Sequence, residues 1–327
     1  MYLGGSLLLQ GDEKGGYQAY YGAFEEEQVQ NKRFKATLLM TACYFHWITT
    51  DLKNMERAAK QSIVLCQESG HRQILGQANY HLGCVRYQQN DLSAAEENFA
   101  SVVDRPYYNY GVPYTNSVCG LAMVHQAKGR AAAAQDVIEG AIAFLLETGN
   151  TTQLPVILAL QAEVALMQGT LSTASEWAEK LDPVPPLVPM PWFLAPHLTL
   201  VKVWLAQNTP TSREKAAKLL EQLREYLLGI HNRRFLIDTF ALQALLAETT
   251  GEHPTALELL ERALRLAQPG EFIRLFVDMG PQMTDLLSRL KPSQGLRTYV
   301  DKIRAAFPAP QGYAALTSPE KLLEPLT

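Results

Sequence analysis

One spacing recurs along this chain at intervals of about 40 residues: a small residue, then Gly or Asn seven positions on, then Ala five positions later. It reads Gly83, Asn90, Ala95; Ala122, Gly129, Ala134; Ala162, Gly169, Ala174; and Ala244, Gly251, Ala256. The pattern is that of a helix, a tight turn and a second helix. A small residue late in the first helix lets two helix axes approach closely. The Gly or Asn ends that helix, because both tolerate a left-handed cap. The Ala is the matching small residue on the second helix, and one turn further along the same face stand Phe99, Ile138, Ala178 and Leu260. A helical pair cannot bury its apolar face alone, so such pairs stack into an all-α superhelix with a long concave face. That form holds peptides, ligands or neighbouring domains.

Weaker copies fill the gaps. Gly4, Gly11 and Gly16 keep the spacing, with a first helix cut short by the start of the chain. Trp47 to Cys66 forms another copy, with Ala58 and Ala59 on its second helix, and Val201, Asn208 and Ala216 or Ala217 a further one. The expectation is about seven helix pairs plus C-terminal helices. Second helices end alternately at glycine (Gly70, Gly149, Gly229) and at proline (Pro106, Pro183, Pro269). Glycine ends allow a compact return, whereas proline ends stiffen an extended link. Residues 1–268 are therefore expected to be the repeat array, 269–307 a C-terminal helical extension and 308–327 a linker.

Composition narrows the classes of function. With 47% apolar and 19% charged residues the chain has the makeup of a folded protein. A net charge of −4, without a dominant basic region, argues against nucleic-acid binding by this chain itself. Lys32, Arg33 and Lys35 read as a solvated helix face. Cys43, Cys66, Cys84 and Cys119 form no C-x-x-C pair and sit within helical patterns, as buried thiols do. No histidine pair has metal-ligand spacing, and no G-x-S-x-G or G-x-x-x-x-G-K-[ST] occurs. No catalytic set, metal or cofactor is expected. The longest apolar run, Leu154 to Met167, is interrupted by Gln161 and Glu163 and is too short for a bilayer. Without a signal peptide, a cytoplasmic protein with no membrane partner is the expectation.

The repeat resembles the tetratricopeptide (TPR) repeat, most closely through Tyr80, Leu82, Gly83 and Tyr87 before Ala95 and Phe99. Its longer period marks a variant. The stretch from Ala256 to Leu290 (ALELLERALRLAQPGEFIRLFVDMGPQMTDLLSRL) is similar to the end of the helical-repeat region in large LuxR-type, MalT-like transcription regulators. Those regulators carry a nucleotide-binding module before the repeats and a helix-turn-helix after them. The final Leu-Leu-Glu-Pro-Leu-Thr resembles the lead-in to that DNA-binding domain. The resemblance implies an excised middle piece: a sensor and signal-relay region that binds a small effector or a partner protein, with DNA contacted only through a domain absent from this chain. The alternative is a protein-interaction scaffold with no small-molecule pocket, whose aromatic linkers would lie collapsed on the repeats.

Two proline-ended links are long and aromatic. The first carries Tyr107, Tyr108, Tyr110 and Tyr114; the second, Asp182 to His197, carries six prolines with Trp192 and Phe193. Aromatic faces with a few polar groups suit sugars, drug-like molecules or peptides. If alternate linkers share an edge of the stack, these two are neighbours. Arg233 and Arg234 open a first helix, where an anion is welcome. These eight residues are the candidate ligand-binding set.

Overall fold

The computed structural model describes residues 7, 10–25, 31–109, 111–184 and 193–308. It is helical throughout, with no strand among the described residues. Helix α1 (Glu13–Glu25) is followed by six antiparallel pairs. These are α2 (Lys32–Ile48) with α3 (Leu52–Ser69), α4 (Arg72–Gln88) with α5 (Leu92–Val103), and α6 (Val112–Ala127) with α7 (Ala131–Glu147). Then come α8 (Leu154–Met167) with α9 (Leu171–Ala178), α10 (Pro196–Gln207) with α11 (Pro210–Gly229), and α12 (Arg233–Thr249) with α13 (His253–Ala267). The tail adds α14 (Arg274–Val277), α15 (Pro281–Arg289) and α16 (Arg297–Ala306). This is a TPR-like α-solenoid.

The turn chemistry read from the sequence is what closes each pair. Asn90, Gly129, Gly169 and Gly251 are left-handed, with φ between 65° and 83°. The amide after each bonds back five residues, as in Asp91 N–H to Arg86 O (2.9 Å) and Arg130 N–H to His125 O (2.9 Å). Asp51 and Asp91 then cap the next helix by accepting from the Asn54 and Ala94 amides. The second helix of the fifth pair ends at Gly229 as expected, but the left-handed cap lies further on. The left-handed residue is His231 (φ 52°), two positions past the helix end, where the turn closes with Asn232 N–H on Leu227 O (2.9 Å).

The small residues permit close packing. Gly83, Ala122, Ala162 and Ala244 are all buried, and Phe99 of α5 is wedged between Gly83 of α4 and Gly120 of α6. The array also closes on itself. The sixth pair and the tail pack against the first two pairs. Trp47 of α2 meets Phe272 at 6.0 Å, the Thr50 hydroxyl donates to Leu266 O (3.4 Å), and Ile273 N–H donates to Gln88 O (2.7 Å). Among the described residues no helix is long and apolar enough to cross a membrane.

Candidate functional site

The closure turns the concave face into a polar interior. Six charged side chains converge there from four helices. Glu163 (α8) pairs with Lys202 (α10), Arg234 with Asp238 (both α12), and Arg274 (α14) with Asp278, one residue past that helix. The two Arg–Asp pairs stand four residues apart, so helix geometry alone places each acid over its arginine. Glu163 also accepts from the Thr199 hydroxyl at 2.9 Å. The Tyr87 hydroxyl of α4 reaches across the closure to Asp278 at 2.7 Å.

Burial makes these charges interdependent. Glu163, Arg234, Asp238 and Arg274 are all buried, and an isolated buried charge is costly until paired. Burial works against the Lys202 charge, yet the carboxylates of Glu163, Asp238 and Asp278 hold its pKa above the ordinary lysine value. Burial raises the Asp238 carboxyl although Arg234 and Lys202 pull the other way. Burial likewise opposes the Arg274 charge, but Asp278 and Tyr87 together more than compensate. The Nε atoms of Arg234 and Arg274 have no hydrogen-bond acceptor among the described residues. Between Tyr87, Glu163, Phe193, Lys202, Arg234 and Asp278 lies a cavity of 60 Å³. That holds a few waters and is far below the several hundred Å³ of a small-molecule pocket.

The candidate residues from the sequence separate into two groups. Phe193 enters the inner face, 5.3 Å from the Tyr87 ring and edge-on to Phe99 at 5.8 Å. Its amide donates to Asn116 Oδ1 (2.8 Å) of α6, which pins the end of the second linker to the repeat after the first. Arg234 lies in the same interior, with its guanidinium 4.9 Å from the Trp47 ring centre and 5.5 Å from that of Phe272. Tyr107, Tyr108 and Tyr114 belong elsewhere, on the rim where first helices begin and second helices end. Tyr114 is buried against Phe144 (4.9 Å). Tyr107 stands edge-on to the same ring (5.2 Å) and donates to Glu147 (3.2 Å), yet stays exposed. Tyr108 is exposed beside Arg72. Arg233 is half-buried and, as the neighbour of Arg234 on one helix, points away from it. Tyr110 and Trp192 lie outside the described residues. The second linker thus meets α6, the helix that follows the first linker and includes Tyr114, through Phe193 and Asn116, while the exposed tyrosines lie apart.

Sequence reasoning missed Tyr87, Lys202, Asp238, Arg274 and Asp278. Two signals were present: the repeated Arg-x-x-x-Asp at 234–238 and 274–278, and Glu163 as the lone acid of the most apolar helix. The four cysteines are buried and free. Burial holds His81 neutral, with its pKa lowered to about 3, and lowers His46 to about 4 against the pull of Asp51. Among the described residues no three His, Cys, Asp or Glu side chains converge on a metal site.

The family model of the MalT-like TPR region matches residues 2–293. The chain belongs to this family. No curated protein matches it. The MalT-like TPR region is a helical module of the regulatory sensor and scaffold kind. The match runs beyond the sixth pair through α15, so it takes in the segment 271–278 that closes the ring.

Proposed function

We propose that this chain is the sensor and signal-relay region of a LuxR-type, MalT-like transcription regulator of the cytoplasm. In this reading 1–268 is the sensing array, 269–307 a closing extension, and 308–327 the lead towards a DNA-binding domain. The supporting observation is a closed inner face that holds six compensating charges around a cavity too small for an effector. A small polar effector would enter only as the closure loosens, taking the free Nε donors of Arg234 and Arg274 and displacing Phe193. Such a ligand favours the open arrangement by its differential affinity for it, and that shift is the signal. Tyr114 and Arg233 support the linker and the helix start in this scheme; Tyr110 and Trp192 belong to the same two segments.

Calorimetric titration with sugars, amino acids and aromatic carboxylates tests the reading, paired with small-angle scattering. The expected result is a ligand whose binding raises the radius of gyration. Its affinity should rise in Tyr87→Phe, which loosens the closure, and fall in Arg234→Met. Tight binding with no change of shape and no response to either substitution would sink the proposal. The packing of Phe193 and Tyr114 on the repeats favours one second reading, an interaction scaffold without an effector. Failure of every small molecule to bind, with a peptide captured instead, would select it.

A further inference from the structure

The rim that carries the first aromatic linker has a built pocket of its own. It is a cavity of 370 Å³ between α4 and the end of α5, floored by Leu75 and Gly76 and bounded by Arg72, Ser101, Arg105 and Tyr108. No carboxylate is among its lining residues. The linker beside it is rigid. Asn109 is buried and donates to Val102 O (3.0 Å) and Arg105 O (3.2 Å), locking residues 104–109 into a compact turn. Position 76 must be glycine for this, since a Cβ there would lie 1.7 Å from Asn109 Oδ1. Tyr107 is clamped by Phe144 and Glu147, and Tyr108 by Arg72, whose guanidinium lies 5.4 Å from its ring centre. Both tyrosines nevertheless remain 68% and 55% exposed.

Fixed, exposed aromatic rings beside an arginine-flanked cavity are the makings of a protein-binding hot spot, because little side-chain entropy is lost when they are covered. The surroundings select the partner's charge. Arg33 reaches Ser69 O (3.0 Å), three residues before Arg72, beside Lys32, which is paired with Glu68 (3.1 Å). Phe34, near the start of α2, and Leu146, near the end of α7, are also exposed on this rim. The geometry points to a docking site for an acidic peptide segment of a partner protein, with one large apolar side chain seated over Gly76 and its flanking carboxylates on Arg72 and Arg105. This site is separate from the inner face and does not rest on the effector reading.

Fluorescence anisotropy with short labelled peptides, each a central Phe or Leu flanked by Asp and Glu, tests it on the whole chain. The acidic peptides should bind, more weakly as salt rises, while Lys-flanked versions should not. Arg72→Glu with Arg105→Glu should weaken binding by roughly a hundredfold and Tyr108→Ala by roughly tenfold. Circular dichroism should show unchanged folding, since these side chains are exposed. Equal binding of both peptide charges, or indifference to the charge reversals, overturns the proposal. So does binding of phenylacetate alone, which would make the cavity a small-anion pocket, or preferential binding of single-stranded RNA.

Discussion

Gly120 and Gly140 both lie inside helices of the third pair, and the same substitution should act on them in opposite directions. A Cβ at Gly120 would meet Phe99 Cζ at 2.4 Å, where ordinary contact begins at 3.4 Å, so the ring must retreat by about 1 Å. It has nowhere to go: Gly83 lies against its other side (Cβ to Cε1 2.6 Å), and Phe193 stands edge-on at 5.8 Å. Overpacking of this kind costs about 1–3 kcal/mol, against a gain in helix propensity of up to ~1 kcal/mol. Gly120→Ala should therefore destabilise the chain by about 1–2 kcal/mol. At Gly140, exposed in α7, nothing lies within 4 Å of a built Cβ. Only the propensity gain remains there, so Gly140→Ala should stabilise by about 0.5–1 kcal/mol. Urea unfolding followed by helical circular dichroism reads both as midpoint shifts of opposite sign at constant slope. Phe99→Leu, which replaces the ring with a shorter side chain, should cost less in the Gly120→Ala background than alone. A Gly120→Ala protein more stable than the parent, or two shifts of the same sign, would refute the packing argument.

Lys202→Met should cost about 2–4 kcal/mol by leaving Glu163 buried without its cation, and adding Glu163→Gln should recover most of that loss in a denaturation double-mutant cycle. Stability should also fall between pH 7 and pH 5. His46 and His81 stay neutral in the fold, with pKa values of about 4 and about 3, while the unfolded chain binds protons on both near pH 6.5. Their contribution is complete above pH 6.5 and is lost as pH falls towards the folded values. His81→Phe should flatten the midpoint-versus-pH curve in this window. Glu96, lowered to about 2 by Arg130 and Lys128, begins to lose its contribution only below about pH 4.5 and leaves the window unchanged.

The repeat was legible because it is a local requirement. Gly129 and Gly251 mark turns that need a left-handed residue, Ala95 and Ala134 mark interfaces that need a small one, and both demands recur with the period of the pair. The left-handed His231 escaped notice because nothing in its immediate sequence requires it; the position is set by how far α11 runs before its turn closes. The inner-face cluster was mostly illegible for a different reason. Glu163, Lys202 and Asp278 come together through the accumulated rotation of successive pairs and the return of the tail, which no spacing in the chain encodes. Phe193 and Arg234 were visible as residue types, but their place beside Tyr87 and Trp47 depends on that same closure. Tyr107 and Tyr108 were legible as an aromatic run, whereas their fixed exposure follows from Asn109 and Gly76, residues of unremarkable type.

The arrangement of the buried charges bears on how the ring can open. Each cation carries its own acid on the same element or an adjacent helix: Arg234 with Asp238, Arg274 with Asp278, Lys202 with Glu163. Separating the tail and the sixth pair from the first two pairs would therefore strand no charge. Water would simply solvate pairs that remain intact, and the desolvation penalty carried by the closed state would be returned. What is lost across the seam includes the Tyr87–Asp278, Ile273–Gln88, Leu275–Gln88, Thr50–Leu266 and Arg274–Asn90 hydrogen bonds, the guanidinium of Arg234 over Trp47 and that of Arg274 over Tyr87, and the Trp47–Phe272 contact. A hydrogen bond to a charged group contributes about 1.5–3 kcal/mol and a desolvated cation–π contact about 2 kcal/mol. The seam is thus specific in geometry, a limited set of polar contacts around a small aromatic core, and a ligand that opens it must favour the open state by more than these contribute. A seam made of apolar contacts alone would, once open, be more prone to association through its exposed face.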